Sequence, residues 1–129
     1  MKTGLLALTI VALGSFSSLH AQNAAPDTGP ITIVDHVDIK PDAYLPGAEE
    51  KAAALFRAEE AASRKDAGIV SYEIYQQLDA TNHFTFVETW RSLRDYQRHE
   101  GSDHTVAFRK QIEPVLGGPF DARLHKAWK

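Results

Sequence analysis

The sequence predicts an α+β fold in which the elements follow the order β-α-β-β-α-β, the split βαβ arrangement of ferredoxin-like folds. Two β-patterned runs at 69–78 and 83–91 are joined by a short polar connection, which indicates an antiparallel hairpin. A β-branched run and a long helical pattern precede this hairpin, and two short helical patterns and a final strand follow it. The chain of 129 residues is long enough for one domain of this kind.

The first 21 residues have the order of a secretory signal peptide. A basic start at Lys2 precedes an apolar run at 4–13 and small polar residues that lead to Ala21, after which we expect cleavage. The rival interpretation is a membrane anchor, but the apolar run has about ten residues, whereas a spanning helix needs about 20. The sequence therefore predicts a periplasmic or secreted protein that has no stable membrane anchor after cleavage.

Residues 22–30 are expected to form a disordered tether, because they lack apolar periodicity and contain two prolines and a glycine. The folded domain then covers residues 31–129. A domain of about 100 residues buries only about 60–65% of the surface of its unfolded chain. An oligomer that covers one face of the sheet would therefore stabilise it.

The composition argues against several classes of function. The net charge is −3 and the sequence has no basic cluster, which argues against nucleic acid as a partner. The chain contains no cysteine, so it has neither a disulfide nor a thiol nucleophile. It also lacks a Gly-rich phosphate loop and a Gly-x-Ser-x-Gly motif, which removes the best-marked enzyme classes.

The first half of the domain is predicted to be a strand followed by a helix. Residues 31–39 alternate and are rich in β-branched side chains, which is typical of a strand. Asp35 interrupts the apolar face of this strand and is therefore a candidate pocket acid. A helix is predicted from Pro46 to about Asp66, because proline suits a first helical turn and Gly68 follows as a stop signal.

The second half begins with the two hairpin strands and continues with helix caps. Ser92 is predicted to open a helix of about two turns. Ser102 is predicted to cap a second helix that continues to Glu113, where Pro114 stops it. Residues 120–127 are predicted to form the last strand.

One face of the third strand combines aromatic side chains with a carboxylate. The two-residue period places Phe84, Phe86, Glu88 and Trp90 on the same face. A carboxylate covered by apolar groups must pair or take a raised pKa, which makes Glu88 a candidate proton acceptor. A core tryptophan beside a strand carboxylate with a local hydrogen bond explains the same pattern without any chemistry.

Two histidines and two tyrosines complete the candidate site. His99 and His104 lie five residues apart, which is not the i, i+4 spacing of a helical zinc site, and no HExxH motif is present. We therefore predict no metal, and expect one histidine to close the helix junction and the other to face the pocket. Tyr72 and Tyr96 are most simply explained as amphipathic packing residues.

Several segments resemble one protein family. The segments GIVSYEIY (68–75), FVETW (86–90) and SDHTVAFR (102–109), together with His99, resemble the antibiotic-biosynthesis monooxygenase domain family, including its quinol monooxygenases. The likeness covers about residues 31–127, and its most specific part is Glu-x-Trp followed by two spaced histidines. The resemblance implies a homodimeric α+β barrel in which two sheets face each other. It also implies a pocket between the sheet and the helices of each subunit.

The resemblance also implies a chemistry. The best-studied members oxidise hydroquinones or phenolic polyketides with O2 and without flavin, metal or haem, so it implies no cofactor. A phenol with a pKa of about 10 is a poor electron donor until it loses its proton. A dry pocket with a positioned base generates the anion that reduces O2. By position, Trp90 resembles the pocket tryptophan, and Tyr96 resembles a tyrosine that some members place beside it.

The sequence departs from two branches of the family. Polyketide-type members have an asparagine four residues before the tryptophan, where this chain has Phe86. The haem-degrading branch shares the tryptophan, but its asparagine falls at Asp35 and its haem-ligating histidine falls near Arg109. These departures favour the quinol branch.

The leading hypothesis is a cofactor-independent monooxygenase that oxidises quinol-like or phenolic small molecules with O2. The predicted catalytic residues are Glu88, His99, His104 and Tyr96, and the predicted substrate-binding residues are Trp90, Phe86, Phe84, Asp35 and Tyr72. The alternative is a non-catalytic binding module that holds a small aromatic or lipophilic ligand in the same pocket. A purely structural dimer is the third hypothesis.

Overall fold

The computed structural model of the chain describes residues 29–128. The predicted signal peptide and most of the predicted tether lie outside the described residues, as does Lys129. Over the range 29–128, no helix has the length and hydropathy of a bilayer-spanning segment.

The described residues form a four-stranded sheet and three helices. The strands are β1 (Ile31–Asp38), β2 (Ile69–Gln76), β3 (His83–Trp90) and β4 (Asp121–His125), and the helices are α1 (Ala48–Ser63), α2 (Leu93–Glu100) and α3 (Asp103–Ile112). A short 3-10 turn, Glu113–Val115, follows α3. All strand pairs are antiparallel and the spatial order is β2-β3-β1-β4, so the predicted α+β, ferredoxin-like fold is confirmed.

The strand register places three buried ionisable residues of the sheet, Asp35, Tyr72 and Glu88, on one face. In β1 and β3, Asp35 lies opposite Phe86 and Ile33 lies opposite Glu88. In β2 and β3, Tyr72 lies opposite the same Glu88. Residues that face each other across an antiparallel pair project to the same side of the sheet. All five side chains are buried, and this side is the one that the helices cover.

Two apolar clusters flank these ionisable residues. The larger cluster brings α1 and α3 onto the sheet through Phe56, Phe86 and Phe108, and the Phe56 and Phe86 rings meet edge to face at 5.0 Å. The smaller cluster contains Trp90 and Tyr96. Burial of each large apolar side chain contributes about 1.5–3 kcal/mol. The polar residues therefore sit between two well-packed regions that hold the helices in place.

The first helix is shorter than predicted at both ends. It begins at Ala48, because Gly47 adopts a φ of 81° that a right-handed helix cannot contain. Pro46 therefore precedes the helix and does not lie in its first turn. The helix ends at Ser63, which leaves Asp66 in the connection to β2. The carboxylate of Asp66 contacts α2 and α3 from that connection.

The predicted helix caps are present in the structure. The hydroxyl of Ser92 accepts a hydrogen bond from the backbone N–H of Asp95 at 3.1 Å, and that of Ser102 accepts one from Thr105 at 3.3 Å. Each bond satisfies a backbone donor that the first helical turn leaves unpaired. Gly68 has a φ of 92°, and a Cβ at this position would collide with the side chain of Asp95. The start of β2 therefore packs directly against the start of α2.

Within residues 29–128, no helix packs on the opposite face of the sheet. The last strand is shorter than the predicted 120–127 and is exposed along its length. Val34 and Val87 lie side by side on this outer face, where both are half-buried, and Tyr75 is 57% exposed. The predicted homodimer would cover this face and stays a prediction.

Candidate active site

Glu88 lies in the middle of the polar residues beneath the helices. Its side chain is 7% exposed, and the indole Nε1–H of Trp90 donates a hydrogen bond to Glu88 Oε2 at 2.9 Å. Burial raises the pKa of Glu88 to about 7, the indole hydrogen bond opposes this shift, and the negative charges of Glu100 and Asp35 add to it. Glu88 therefore exchanges its proton near neutral pH.

A second carboxylate with a raised pKa lies diagonally across the sheet. Burial raises the pKa of Asp35 to about 6, although the positive charge of Arg109 opposes this effect. Among the described residues, Asp35 Oδ1 is a buried side-chain oxygen without a hydrogen-bond partner. A buried polar group left unpaired costs about 1–3 kcal/mol, so this oxygen indicates where a donor from a bound molecule would be accepted.

His99 connects Glu88 to the helices. The His99 ring is stacked at a tilt on the Trp90 indole, with 4.7 Å between ring centroids. Its Nε2 lies 4.0 Å from Glu88 Oε2, and its Nδ1 lies 2.8 Å from Asp66 Oδ2. Glu88, Trp90 and a histidine therefore converge at one place.

His104 lies between two carboxylates. Its Nδ1 is 3.1 Å from Glu59 Oε2 and its Nε2 is 3.0 Å from Asp66 Oδ2. Burial works against a charge on this ring, but the hydrogen bonds and negative charges of Glu59 and Asp66 outweigh it and raise the pKa of His104. In the charged form, both ring nitrogens donate.

Glu59 is the most deeply buried acid of α1. It is 3% exposed and accepts hydrogen bonds from the hydroxyls of Thr105, at 2.8 Å, and Ser63, at 3.4 Å. The Thr105 hydroxyl also lies 3.3 Å from His99 Nδ1 and 3.4 Å from His104 Nδ1. The Thr105 hydroxyl therefore lies within 3.4 Å of Glu59 and of both histidines.

Three of these side chains offer donor atoms of the kind that bind a metal ion. Glu59, His99 and His104 each offer one donor atom, and the three atoms lie within 4.8 Å of one another. Two imidazoles and a carboxylate are ligands that zinc and iron accept. The donors are engaged with one another, with Asp66 and with Thr105, so a cation would have to replace these bonds. The prediction that the domain has no metal site stays a prediction.

A cavity of about 200 Å³ opens between α1 and α3 beside this cluster. Glu59 and His104 form the polar part of its wall. The other lining residues are Leu55, Ala58, Ala62, Ala107, Phe108 and Gln111. A second cavity, of about 300 Å³, lies between α1 and the sheet and is lined by Phe84 together with Ile74. Phe84 thus lies in a different cavity from His104.

The tyrosines flank His99 and the indole of Trp90. Ring centroids are 6.1 Å apart for Tyr72 and His99, and 6.4 Å apart for Tyr96 and Trp90. Burial, followed by the charges of nearby carboxylates, raises the pKa of both phenols above the usual range. Both phenols therefore stay protonated near neutral pH.

An ion pair from α2 and α3 supplies positive charge near the site. Arg109 donates to both carboxylate oxygens of Glu100, at 2.7 and 3.0 Å, and its guanidinium lies 4.8 Å from the centre of the Phe120 ring. The charge of Arg109 opposes the effect of burial on the pKa of both Asp35 and Glu88. Arg109 was not predicted as a site residue from the sequence, in which it ends the family-like segment 102–109 and lies near the position of the haem-ligating histidine of one branch.

Glu59 and Asp66 were likewise not predicted as site residues from the sequence. The sequence pattern nevertheless marks Glu59, because it falls on the buried stripe of α1. Asp35 falls on the buried face of β1 in the same way. The buried positions of α1 are Ala48, Ala52, Phe56, Glu59 and Ser63, which follow helical spacing. No comparable pattern marked Asp66, because its position follows from the early end of the helix.

Comparison with known proteins gives a matching family and a similar protein. Residues 36–111 match the family described as antibiotic biosynthesis monooxygenase. The uncharacterized Synechocystis sp. protein sll1783 is 25% identical over 131 residues, which covers 98% of this chain and 86% of that protein. The matched segment contains Glu59, Asp66, Glu88, Trp90, His99, His104 and Arg109, and begins one residue after Asp35.

Three solved structures have a similar fold. Rv0793 from Mycobacterium tuberculosis superposes with a TM-score of 0.68 at 24% identity, covering 78% of this chain and 96% of that one. PA3566 from Pseudomonas aeruginosa gives 0.69 at 24% identity, with coverages of 79% and 97%. SnoaB from Streptomyces nogalater, a cofactor-independent oxygenase, gives 0.66 at 13% identity, with coverages of 78% and 95%. At these identities the likeness shows the fold alone.

Proposed function

Because the chain belongs to the antibiotic biosynthesis monooxygenase family, we propose that it is a cofactor-independent monooxygenase that oxidises quinol-like aromatic molecules with O2. The observation that carries this proposal is Glu88, a buried carboxyl with a pKa of about 7 beside the Trp90 indole. A general base works best when its pKa lies near the operating pH. The predicted roles of Glu88, Trp90, Tyr96, Tyr72 and the histidines are part of this proposal.

Transfer of a proton from a quinol to Glu88 depends on stabilisation of the phenolate by the site. A phenolic hydroxyl has a pKa of about 10, so transfer to a group of pKa about 7 is uphill by about 4 kcal/mol before the site contributes. Protonated Tyr96 and the cation of Arg109 would stabilise the phenolate in the dry site. The quinolate that forms is the electron donor to O2.

Asp35 favours a substrate with a second hydroxyl. Asp35 and Glu88 are diagonal neighbours on paired strands, a relation that places backbone positions about 7–8 Å apart. This separation suits a para-dihydroxybenzene lying along the sheet, with one hydroxyl at Glu88. The other hydroxyl would donate to Asp35 Oδ1, the buried oxygen that has no partner among the described residues.

The proposed reaction balances without an external reductant. Hydroquinone plus O2 gives hydroxybenzoquinone plus water, so that one oxygen atom enters the ring and the other leaves in water. The substrate supplies the four electrons that O2 accepts: one ring C–H bond, both hydroxyl O–H bonds and the O–O bond break, and one C–O bond forms. Of the three hydrogens released, one ends on the new hydroxyl and two end in water. The chain's own residues bind and orient the ring, exclude water, and hold the proton that the hydroxyl releases.

The proposal extends to assembly and location. We propose that the domain is an exported homodimer that uses the outer face of its sheet. Val34 and Val87 on that face, together with the marginal size of a domain of about 100 residues, support association. The predicted signal peptide supports export. The mass of the mature chain and its mass in solution by light scattering test the two parts separately.

Oxygen uptake on chelator-treated protein tests the proposed reaction. We expect uptake above the autoxidation rate with hydroquinones, and a loss of about 10²–10⁴-fold in Glu88→Gln. Glu73→Gln is the matched control, because Glu73 is an exposed residue of the neighbouring strand. With ¹⁸O2, the product should carry one labelled oxygen atom.

Two other outcomes would contradict the proposed reaction. Uptake no faster than autoxidation for every quinol would do so. If the quinols nevertheless raised the melting temperature, the domain would be the binding module that holds an aromatic ligand without turnover. Production of unlabelled quinone with H2O2 would indicate an oxidase instead of a monooxygenase.

A further inference from the structure

We infer that Asp66 is a positioning residue, which holds His99 as the Nδ1–H tautomer and so directs an unprotonated Nε2 toward Glu88. Glu88, His99 and Asp66 then form an acid–imidazole–acid chain in which Glu88 passes its proton to His99. This inference rests on the proposed function for its catalytic meaning. The tautomer itself is independent of any reaction.

The contacts of His99 indicate this tautomer. Nδ1 lies 2.8 Å from Asp66 Oδ2, which is a short hydrogen-bond distance to a carboxylate, and a carboxylate only accepts. The proton of a neutral ring therefore sits on Nδ1. The nearest carboxylate to Nε2 is Glu88, at 4.0 Å. The same arrangement of roles, in which an acid fixes the tautomer of a histidine that moves a proton, occurs in Ser-His-Asp enzymes.

The Thr105 hydroxyl does not compete for the role of Asp66. It lies 3.3 Å from His99 Nδ1 and 3.4 Å from Nε2, both longer than the contact with Asp66. It also donates to Glu59 at 2.8 Å, which uses its single proton. Thr105 therefore has no proton to donate to Nδ1, and the shortest contact of Nδ1 is the one with Asp66.

His104 keeps Asp66 available as an acceptor. Its Nε2 lies 3.0 Å from Asp66 Oδ2, and its Nδ1 lies 3.1 Å from Glu59 Oε2. When it carries both N–H protons, the His104 ring donates to both acids. The Asp66 carboxylate would also pair with the imidazolium that His99 becomes.

The proton path balances at each step. The O–H bond of the quinol breaks and a proton binds Glu88. That proton then leaves Glu88, an N–H bond forms at His99 Nε2, and the imidazolium pairs with Asp66. When the reduced oxygen leaves as water, it takes the proton back from His99. The distance of 4.0 Å must shorten for the transfer, as catalytic contacts often do when substrate binds.

Charged groups from every element that packs on Glu88, His99 and Asp66 act on this site. Asp35 of β1, Glu100 of α2 and Arg109 of α3 act on Glu88, and Trp90 donates to it. Glu59 of α1 and Asp66 act on His104. A change at Asp66 therefore alters the histidines directly and leaves the neighbours of Glu88 on the sheet in place.

The direct test is ¹⁵N NMR of the histidine rings in the full chain. Two-bond proton–nitrogen correlations at pH 8 should show His99 with a protonated Nδ1 and a bare Nε2. In Asp66→Asn, whose amide can donate, we expect the opposite tautomer or a mixture. Asp38→Asn is the matched control, because Asp38 Oδ1 lies 2.8 Å from His83 Nδ1 on the exposed surface.

Steady-state kinetics of quinol oxidation is the second test. With an active quinol, we expect Asp66→Asn to lose about 10²-fold in kcat/KM and to have a changed pH profile. Asp66→Glu should recover part of the lost kcat/KM. Asp38→Asn should match the wild type. A wild-type His99 with a bare Nδ1 would overturn the inference, as would an Asp66→Asn variant with unchanged tautomer and rate. The wild-type spectrum needs no variant to fold. It also decides the tautomer if no quinol is oxidised, which separates failure of this inference from failure of the proposed function.

Discussion

Two aspartate–histidine pairs in this chain have the same contact distance and different surroundings. His99 Nδ1 lies 2.8 Å from Asp66, and His83 Nδ1 lies 2.8 Å from Asp38. The side chains of His99 and Asp66 are 2% and 23% exposed, whereas those of His83 and Asp38 are 43% and 49% exposed. Water screens the second pair, and surface pairs contribute about 0–1 kcal/mol, whereas removal of one partner from a buried pair costs about 3–5 kcal/mol. The contact distance alone therefore does not determine how much each pair contributes to stability. Burial under the helices, which exclude water, determines it.

The largest difference is expected when the two aspartates are truncated. Asp66→Ala leaves His99 without its partner in the core and removes one acceptor of His104, so we expect a loss of about 3 kcal/mol in the free energy of unfolding. Asp38→Ala should cost less than about 1 kcal/mol. Urea denaturation measures both. Equal losses would show that burial does not separate the two pairs.

Glu88→Gln is expected to stabilise the fold at high pH. The pKa of Glu88 is raised from 4.5 to about 7, so its favourable contribution is present below pH 4.5 and is lost as the pH rises through 7. Glutamine avoids burial of a charge and can still accept from Trp90. We expect a gain of about 2–3 kcal/mol at pH 8 and none at pH 4.

The control for this effect is Glu73→Gln on the exposed side of β2, for which we expect a change within about 0.5 kcal/mol at both pH values. Urea unfolding of the three proteins at the two pH values makes the comparison. A Glu88→Gln variant that is less stable than the wild type at pH 8 would show that the charged carboxylate is well solvated or paired.

The wild-type protein should lose stability as the pH rises from 5 to 8. Asp35, with a pKa raised from 3.8 to about 6, has the same sign as Glu88. His104, whose pKa is raised above 6.5, also contributes stability at low pH that is lost as the pH rises through its folded value. Thermal unfolding across this pH range checks the slope. A melting temperature that rose steadily from pH 5 to 8 would contradict the signs of these shifts.

The smallest expected effect compares two threonines. Thr105 donates to Glu59 at 2.8 Å in the core, and we expect Thr105→Val to cost about 1–2 kcal/mol because it removes a donor from a buried carboxylate. Thr85 lies 3.3 Å from His36 Nδ1 on the outer face, and Thr85→Val should change stability by less than about 0.5 kcal/mol. Thermal unfolding of both variants at pH 7 makes the comparison. Equal costs would indicate that the hydroxyl of Thr105 is not part of the cluster.

The sequence predicted those parts of the fold that local chemistry determines. The polar connection after β2 and the serines before α2 and α3 determine the hairpin and the caps within a few residues of chain. The family likeness was predicted from the segments around Glu88 and His104, and the match over 36–111 confirms it. The alternation of β3 also predicted that Glu88 and Trp90 share the covered face.

The partners of the histidines could not be predicted in this way. Asp66 reaches His99 across 33 residues of chain and His104 across 38, and Glu59 reaches His104 across 45. These contacts depend on where α1 ends and how α2 and α3 pack on it, which periodicity does not determine. Because α1 ends at Ser63, Asp66 lies beyond the helix, where it contacts both histidine rings.

The pH dependence of quinol oxidation tests the central claim most directly, because it measures whether the buried carboxylate takes part. After subtraction of autoxidation without protein, kcat/KM should rise with pH through about 7, the pKa of Glu88, since a general base must be ionised. Glu88→Gln should abolish both the rise and most of the rate. A wild-type rate with no step near this pH, or a Glu88→Gln variant as active as the wild type, would contradict the account.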